Sequence, residues 1–312
     1  MNAHLWAVVL AGGDGRRLSS VTVGQDGRPV PKQYCAFGSH ETMIRWAYAR
    51  AAGVVPASRI VFVVAEHHRL YWERELADVP VENILVQPGN RGTASGILLA
   101  ATHILFHRDP HARLLLLPSD HFVEDENVLR DSLNTILRLR QSQNGHITLL
   151  GMTPVDCDPD YGWILPAGDG AFTRVSRFVE KPNAETAASL MRTGALVNSF
   201  IIVAGARVLV EACARTMPEL VQAFVEREGS DSTRRPLAEL YEKLPSADLS
   251  RDVLAGSVRH LAVARIPPCG WSDLGTPARL LAYQSRSRQM RRMAVTRPAS
   301  RPAATSHLSA AC

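Results

Sequence analysis

Five apolar runs recur through the first half of the chain, separated by segments with helical periodicity. This rhythm constrains the fold more than any other feature. The runs are Leu5–Leu10, Ile60–Ala65, Asn83–Val86, Leu114–Leu117 and Ile147–Leu150. They lack the strict apolar–polar alternation of a half-exposed strand, so each reads as a strand buried on both faces. Helix-like stretches lie between them near 41–52, 67–78, 92–107 and 125–142. Buried strands alternating with helices predict an α/β fold with a doubly wound, mostly parallel sheet. Ligands of such sheets sit beyond the carboxyl ends of the strands, and the polar motifs of this chain fall there.

The second half has another pattern. Tyr161–Leu165, a turn at Gly168-Asp169-Gly170 and Arg174–Val179 predict an antiparallel excursion. Helices are expected near 183–193, 205–215 and 235–244, then a strand at Leu261–Ile266 and a last helix from about Pro277. There is no internal repeat and no hexapeptide pattern of the kind that builds a β-helix.

Charge narrows the possible partners. The net charge is +5, but six arginines and no acidic residue lie between Gln284 and Cys312, so the rest of the chain is close to neutral. Residues 284–312, rich in Ser, Arg, Ala, Pro and Thr and without aromatic residues, read as a basic disordered tail. Residues 1–283 read as one catalytic domain. A tail of this kind is usually solvated, and nucleic acid is not an expected partner. No apolar run reaches the ~18–20 residues of a membrane span, and no basic region precedes the first apolar run, so neither a membrane nor a signal peptide is expected. The five cysteines (35, 157, 213, 269, 312) are scattered and odd in number, which suits a reducing, cytoplasmic location.

The first strand runs into Leu10-Ala11-Gly12-Gly13-Asp14-Gly15-Arg16-Arg17-Leu18, and Pro31-Lys32-Gln33 follows. Glycines let backbone N–H groups approach a phosphate, while arginine and lysine supply charge. Two common phosphate loops are excluded. Counting from Gly13, the sixth position of G-x-G-x-x-G would be Leu18, and no G-K-S/T closes the loop as in a Walker motif. A nucleoside triphosphate is the ligand this pattern suits.

Four further motifs carry chemistry. Gln87-Pro88-Gly89-Asn90-Arg91-Gly92-Thr93 opens a helix, offering unpaired N–H groups and an amide that can read a base; a simple cap by Asn90 or Thr93 is the plainer alternative. Pro118-Ser119-Asp120-His121 puts a carboxylate at a strand tip, and Gly270-Trp271-Ser272-Asp273 supplies a second; magnesium takes one or two carboxylates together with phosphate oxygens. His121 reads as an ordinary loop histidine. Phe178-Val179-Glu180-Lys181-Pro182 brings an acid and a base together, and Pro182 is expected to keep Lys181 extended, so that the two side chains project to opposite faces. Gly194–Phe200 offers the Asn198 amide beside an apolar strand.

Taken in order, these five segments resemble the sugar-1-phosphate nucleotidyltransferase family, most nearly its mannose-1-phosphate guanylyltransferases, from about Leu5 to Leu281. The resemblance implies a Rossmann-like nucleotide domain with an embedded sugar-binding portion, magnesium as cofactor, and GTP and a sugar 1-phosphate as substrates; a homodimer is compatible with it. It implies Arg17, Lys32, Asp120 and Lys181 as catalytic residues and Asp120 and Asp273 as metal ligands. Nucleotide contacts would come from Leu10, Ala11, Gly12, Gly13, Gly15, Gln87, Gly92 and Thr93, and sugar contacts from Gly162, Glu180 and Asn198. Val197 and Phe200 stand where the family commonly has Trp and Gly, which leaves the sugar open. Thymidylyl or uridylyl transfer to glucose 1-phosphate, and a catalytically silent sugar-nucleotide sensor, are the alternatives.

Overall fold

The computed structural model describes residues 3–24, 26–37, 40–139, 145–229 and 236–285. The first half follows the expected rhythm: β1 (Leu5–Ala11), α1 (Met43–Ala52), β2 (Ile60–Ala65), α2 (Arg69–Glu75), β3 (Ile84–Gln87), α3 (Gly92–His107), β4 (Arg113–Pro118), α4 (Glu126–Leu139) and β5 (Ile147–Met152). The second half adds β6 (Gly162–Pro166), β7 (Phe172–Glu180), α5 (Ala184–Arg192), β8 (Leu196–Gly205), α6 (Ala206–Thr216), α7 (Pro218–Gly229), α8 (Leu237–Lys243) and β9 (Leu261–Ile266). A last helix runs over 277–285. Apart from Gln284 and Ser285, the expected basic tail lies outside the described residues.

One nine-stranded sheet holds all the strands of the described residues, in the order β3-β2-β1-β4-β8-β5-β9-β7-β6. The block β3-β2-β1-β4 is parallel throughout. The sheet as a whole is mixed, not mostly parallel: β8 runs antiparallel to β4 and β5, and β6 and β7 pair antiparallel with each other and with β8 and β9. An unbroken apolar run reports burial on two faces, and that burial is the same whichever way a neighbouring strand points.

Strand side chains alternate faces, and the two faces feed two cores. Val8, Val61, Val63, Leu114 and Leu116 pack against α3, α6 and α7. Ala7, Val9, Phe62, Val64, Leu115 and Leu117 pack against α1, α2 and α4. Each fully buried Val, Leu or Phe contributes about 1.5–3 kcal/mol, so this block is the rigid base from which the loops at its carboxyl ends project.

β8 joins the parallel block to the excursion. Its start, Leu196–Val197, pairs with β6, whereas Ile202–Gly205 pairs with β4. Between the two the strand bends: the β5–β8 register shifts, Phe200 takes φ +57°, and the Asn198 side chain accepts the Phe200 N–H at 3.1 Å. Gly151 sits opposite this bend, where a Cβ would lie 2.6 Å from Leu196 Cδ1. A separate apolar cluster of Met43, Leu274, Leu280 and Tyr283 fixes the 277–285 helix to α1, and with it the loop that bears Asp273.

Candidate active site

The carboxyl ends of β1, β3 and β4 open into a cavity of about 360 Å³. The glycine loop lines it with Leu10, Gly12, Gly13 and Gly15; the β3–α3 turn with Gln87, Asn90, Gly92 and Thr93; and the β4 tip with Ser119, Asp120 and His121. Seven of the eight expected nucleotide contacts therefore share one wall. Ala11 does not, being fully buried in the core beneath the loop.

The loop conformation follows from its glycines and from Gln33. The Gln33 amide donates to the carbonyls of Ala11 (3.0 Å) and Gly13 (2.9 Å), which holds both on its own side. At Gly12 a Cβ would stand 2.3 Å from Gln87 Nε2, so only glycine lets the loop and this amide meet. Gln87 is itself fixed, its Oε1 accepting from the Tyr241 hydroxyl at 3.1 Å. Gly92 has φ +82°, and a Cβ there would meet the Ala247 backbone. Asn90 Oδ1 accepts the Gly92 N–H at 3.0 Å, while the Thr93 hydroxyl accepts from Leu249 N at 2.8 Å and reaches Asp248 at 3.3 Å. Asn90 thus plays the capping part, and Thr93 ties the helix start to the 248–249 segment. The Arg91 guanidinium donates to the Tyr241 and Glu242 carbonyls.

The charged centre lies beside this wall. Lys32 is buried; its ammonium pairs with Asp120 Oδ2 at 3.0 Å and donates to the Asp273 carbonyl. A two-way backbone bridge between Phe122 and Ser272 joins the loops that carry the two aspartates. Desolvation opposes ionisation of Asp120, but the charges of Lys32 and His121 outweigh it and hold the carboxyl below the usual range. Asp273 behaves in the same way: burial is overcome by His121, Arg279, Lys32 and the Gly275 N–H. Its Oδ1 accepts from Arg279 (2.6 Å), Gly275 N (2.9 Å) and Tyr161 (3.3 Å). Arg279 also pairs with Asp158, and its guanidinium lies 4.1 Å from the Tyr161 ring centre. His121 packs edge-on to Trp271, and burial, reinforced by Lys32 and Arg50, lowers its pKa to about 4. It is therefore uncharged in the wall at pH 7 and carries charge only in the acid range where the two aspartates titrate. Arg17, half exposed and paired with Asp160 at 3.2 Å, reaches the edge of this centre: a Cβ on Gly275 would lie 3.2 Å from its Nη2 and 2.4 Å from Asp273 Oδ2.

The expected sugar residues cluster next door. Gly162 and Glu180 are register partners across β6–β7, and a Cβ on Gly162 would come 2.5 Å from Glu180 Oε2 and 3.3 Å from Asn198 Cβ. Burial raises the Glu180 pKa to about 7, with the Asp248 charge adding to it against Lys181, the Ser250 hydrogen bond and Arg251. Asp248 lines the nucleotide cavity, as does Phe200, two residues from Asn198, so the two regions adjoin. Lys181 departs from expectation. It takes φ +45° and is exposed, not extended. β7 ends at Glu180, the Lys181 N–H closes the hairpin end on the Tyr161 carbonyl at 3.2 Å, and the chain turns at once into α5, capped by Asn183. Gln33, Tyr241, Asp248 and Arg279 are site residues that the motif reading did not assign. Of these only Gln33 carried a signal, standing next to Lys32.

The chain is similar in sequence and fold to known proteins. A family model described as nucleotidyl transferase matches residues 6–289. The mannose-1-phosphate guanylyltransferase of Escherichia coli (strain K12) is 28% identical over 287 residues, covering 88% of this chain and 58% of that protein. The xanthan biosynthesis protein XanB of Xanthomonas campestris pv. campestris (strain B100) is 28% identical over 284 residues, with the same coverage. The chain thus spans a little over half the length of these curated relatives. Among solved structures, that of a mannose-1-phosphate geranyltransferase from Thermus thermophilus matches with a TM-score of 0.75 and 28% identity over 87% of this chain and 76% of that one. The mannose-6-phosphate isomerase from Helicobacter pylori shares the fold, at a TM-score of 0.68 and 18% identity over 86% of this chain and 99% of that one.

Proposed function

The chain belongs to the nucleotidyl transferase family, and on that premise we propose that it transfers the guanylyl group of GTP to mannose 1-phosphate, releasing pyrophosphate and forming GDP-mannose. The observation that carries the reading is the junction itself. A nucleotide-sized cavity walled by the glycine loop adjoins the Gly162–Glu180–Asn198 cluster, and Lys32, Asp120 and Asp273 converge beside the glycine-loop wall. The guanylyl and mannosyl assignments rest on the relatives of that description.

A phosphate monoester is already a nucleophilic anion near neutral pH, so its attack on the α-phosphorus requires no general base. The chain's task is then to bring two anions together and to offset charge on the leaving pyrophosphate. Arg17 and Lys32 suit the triphosphate. Arg17 is held by a surface ion pair of the kind worth about 0–1 kcal/mol, a small cost against a phosphate contact. Lys181, exposed at the hairpin end beside Glu180, suits the sugar phosphate, and Glu180 and Asn198 offer acceptors and an amide for hydroxyls.

Asp120 and Asp273 fit a hard divalent cation. Both carboxyls are held ionised, and glycine at 275 keeps a Cβ from crowding Asp273 Oδ2, which it would approach to 2.4 Å. They would hold magnesium, which supplies charge neutralisation at the phosphates when bound. The test is a pyrophosphate-release screen of each NTP against several sugar 1-phosphates, with the highest kcat/KM expected for GTP and mannose 1-phosphate. Release with another pair alone would change the substrate assignment, and no release with any pair would remove the proposal.

A further inference from the structure

On the outer side of the glycine loop lies a group of residues with no part in the chemistry above. Asp14 stands between Gly13 and Gly15, and His67 and His68 form the turn that follows β2. We propose that Asp14, His67 and His68 form a binding site for a divalent transition-metal ion of the zinc class, separate from the Asp120–Asp273 pair. Their potential ligand atoms all lie within 4.8 Å of one another. His67 Nε2 and Asp14 Oδ1 are 3.0 Å apart, close to the separation of about 3.3 Å that two ligands of a tetrahedral zinc ion take.

Donor chemistry selects the ion. Two imidazoles and one carboxylate suit zinc, cobalt or nickel, whereas magnesium prefers an all-oxygen shell. His68 is 5% exposed, and its Nδ1 is buried with no hydrogen-bond partner, an atom that the protein fold alone leaves unsatisfied. Burial, reinforced by His67 and opposed by Asp14, lowers the His68 pKa to about 4, so its ring is neutral and can donate a lone pair at pH 7. A three-ligand site leaves a position for water or an added ligand. Asp14, His67 and His68 line a cavity of about 400 Å³ together with Ser19, Thr22, Arg28 and Tyr71. Among the described residues one other group offers suitable donors, His103, His107 and Glu228, but there both oxygens of the buried carboxylate are already engaged, one by His107 Nε2 at 2.6 Å and the other by Arg227. Occupancy at Asp14 would tie the glycine loop to the β2–α2 turn.

The experiment uses the full chain, without a histidine tag and stripped of metal, titrated with cobalt(II) and then with zinc(II). The expected result is one cobalt per chain, with visible bands of tetrahedral strength and no thiolate-to-metal charge-transfer band, displaced by zinc and not by magnesium. Asp14→Ala and His67→Ala should each weaken binding by at least about tenfold, while His103→Ala leaves it unchanged. The His67 and Asp14 side chains are 49% and 20% exposed, so both variants should fold, and circular dichroism of the metal-free proteins checks this. Wild-type affinity in the Asp14→Ala/His67→Ala double variant, or no cobalt bound at micromolar concentration, would overturn the proposal.

Discussion

Lys32→Met isolates the charge at the centre of the site, because methionine keeps most of the side-chain volume and removes the ammonium. At 3.0 Å and an effective dielectric near 20, the Lys32–Asp120 pair attracts by about 5.5 kcal/mol before desolvation is counted. Removing one member of a buried pair commonly costs about 3–5 kcal/mol, but the Asp120 side chain is 38% exposed, so solvent compensates part of this and about 1–2 kcal/mol of stability is expected to be lost. The effect on turnover should be larger. A charged contact at a site of developing negative charge is worth roughly a hundredfold or more in kcat. The variant also has a signature in pH. Burial acts to raise the Asp120 pKa and Lys32 acts to lower it, so without the lysine the pKa moves up. The acid limb of kcat/KM should then shift to higher pH. The linkage sign is that of a depressed carboxylate: the pair stabilises the fold above the unfolded pKa, and that stability is lost as pH falls through the lower folded value, a loss the variant should not show. Pyrophosphate release across pH, alongside urea unfolding, measures both effects. A variant with less than tenfold loss and an unmoved acid limb would refute the reasoning.

Gly12→Ala would place a Cβ 2.3 Å from Gln87 Nε2, so KM for the nucleotide should rise at least about tenfold with the unfolding midpoint little changed; an unaltered KM would remove Gln87 from the base wall. Glu180 titrates at about 7, and as an acceptor for hydroxyls it works when charged, so KM for the sugar phosphate should fall as pH rises through 7, and Glu180→Gln should flatten that profile. Its raised pKa means that the stability it contributes is complete below the unfolded value and lost as pH rises through 7, a loss that unfolding of Glu180→Gln should not show. Asp273→Asn should raise the magnesium concentration needed for half-maximal rate, read by titrating the metal at saturating substrate, and an unchanged requirement would leave Asp120 as the sole ligand.

What the sequence made legible depended on whether a signal was local. β1, β2, β4, β5 and β9 were visible because each is a short apolar run buried on both faces. The direction of β8 was not, since Leu196–Gly205 has the same composition whichever way it pairs. Helix α7, absent from the expected elements, does carry a local signal: Pro218 at the first helical position, and Leu220, Val221, Phe224 and Glu228 at helical spacing along one face. In the site, Gly12, Gly92, Asp120 and Asp273 were legible because glycines and isolated carboxylates at strand ends need a reason to be there. Tyr241, Asp248 and Arg279 were not. Each is a single polar residue in an ordinary helix or loop, brought to Gln87, Thr93 and Asp273 by folding alone, and Tyr241 and Asp248 come from more than a hundred residues away. Lys181 departs from the extended conformation that Pro182 favours: it takes φ +45° where its N–H bonds the Tyr161 carbonyl across the hairpin end.

The central claim is that a sugar-phosphate oxygen attacks the α-phosphorus of the nucleotide. Sugar 1-phosphate carrying oxygen-18 in its non-bridging positions tests it directly, with both products weighed by mass spectrometry after turnover with GTP. All of the label should appear in the nucleotide sugar, including its new bridging oxygen, and none in the pyrophosphate. Label in the released phosphate product, or an unlabelled nucleotide sugar, would contradict the claim.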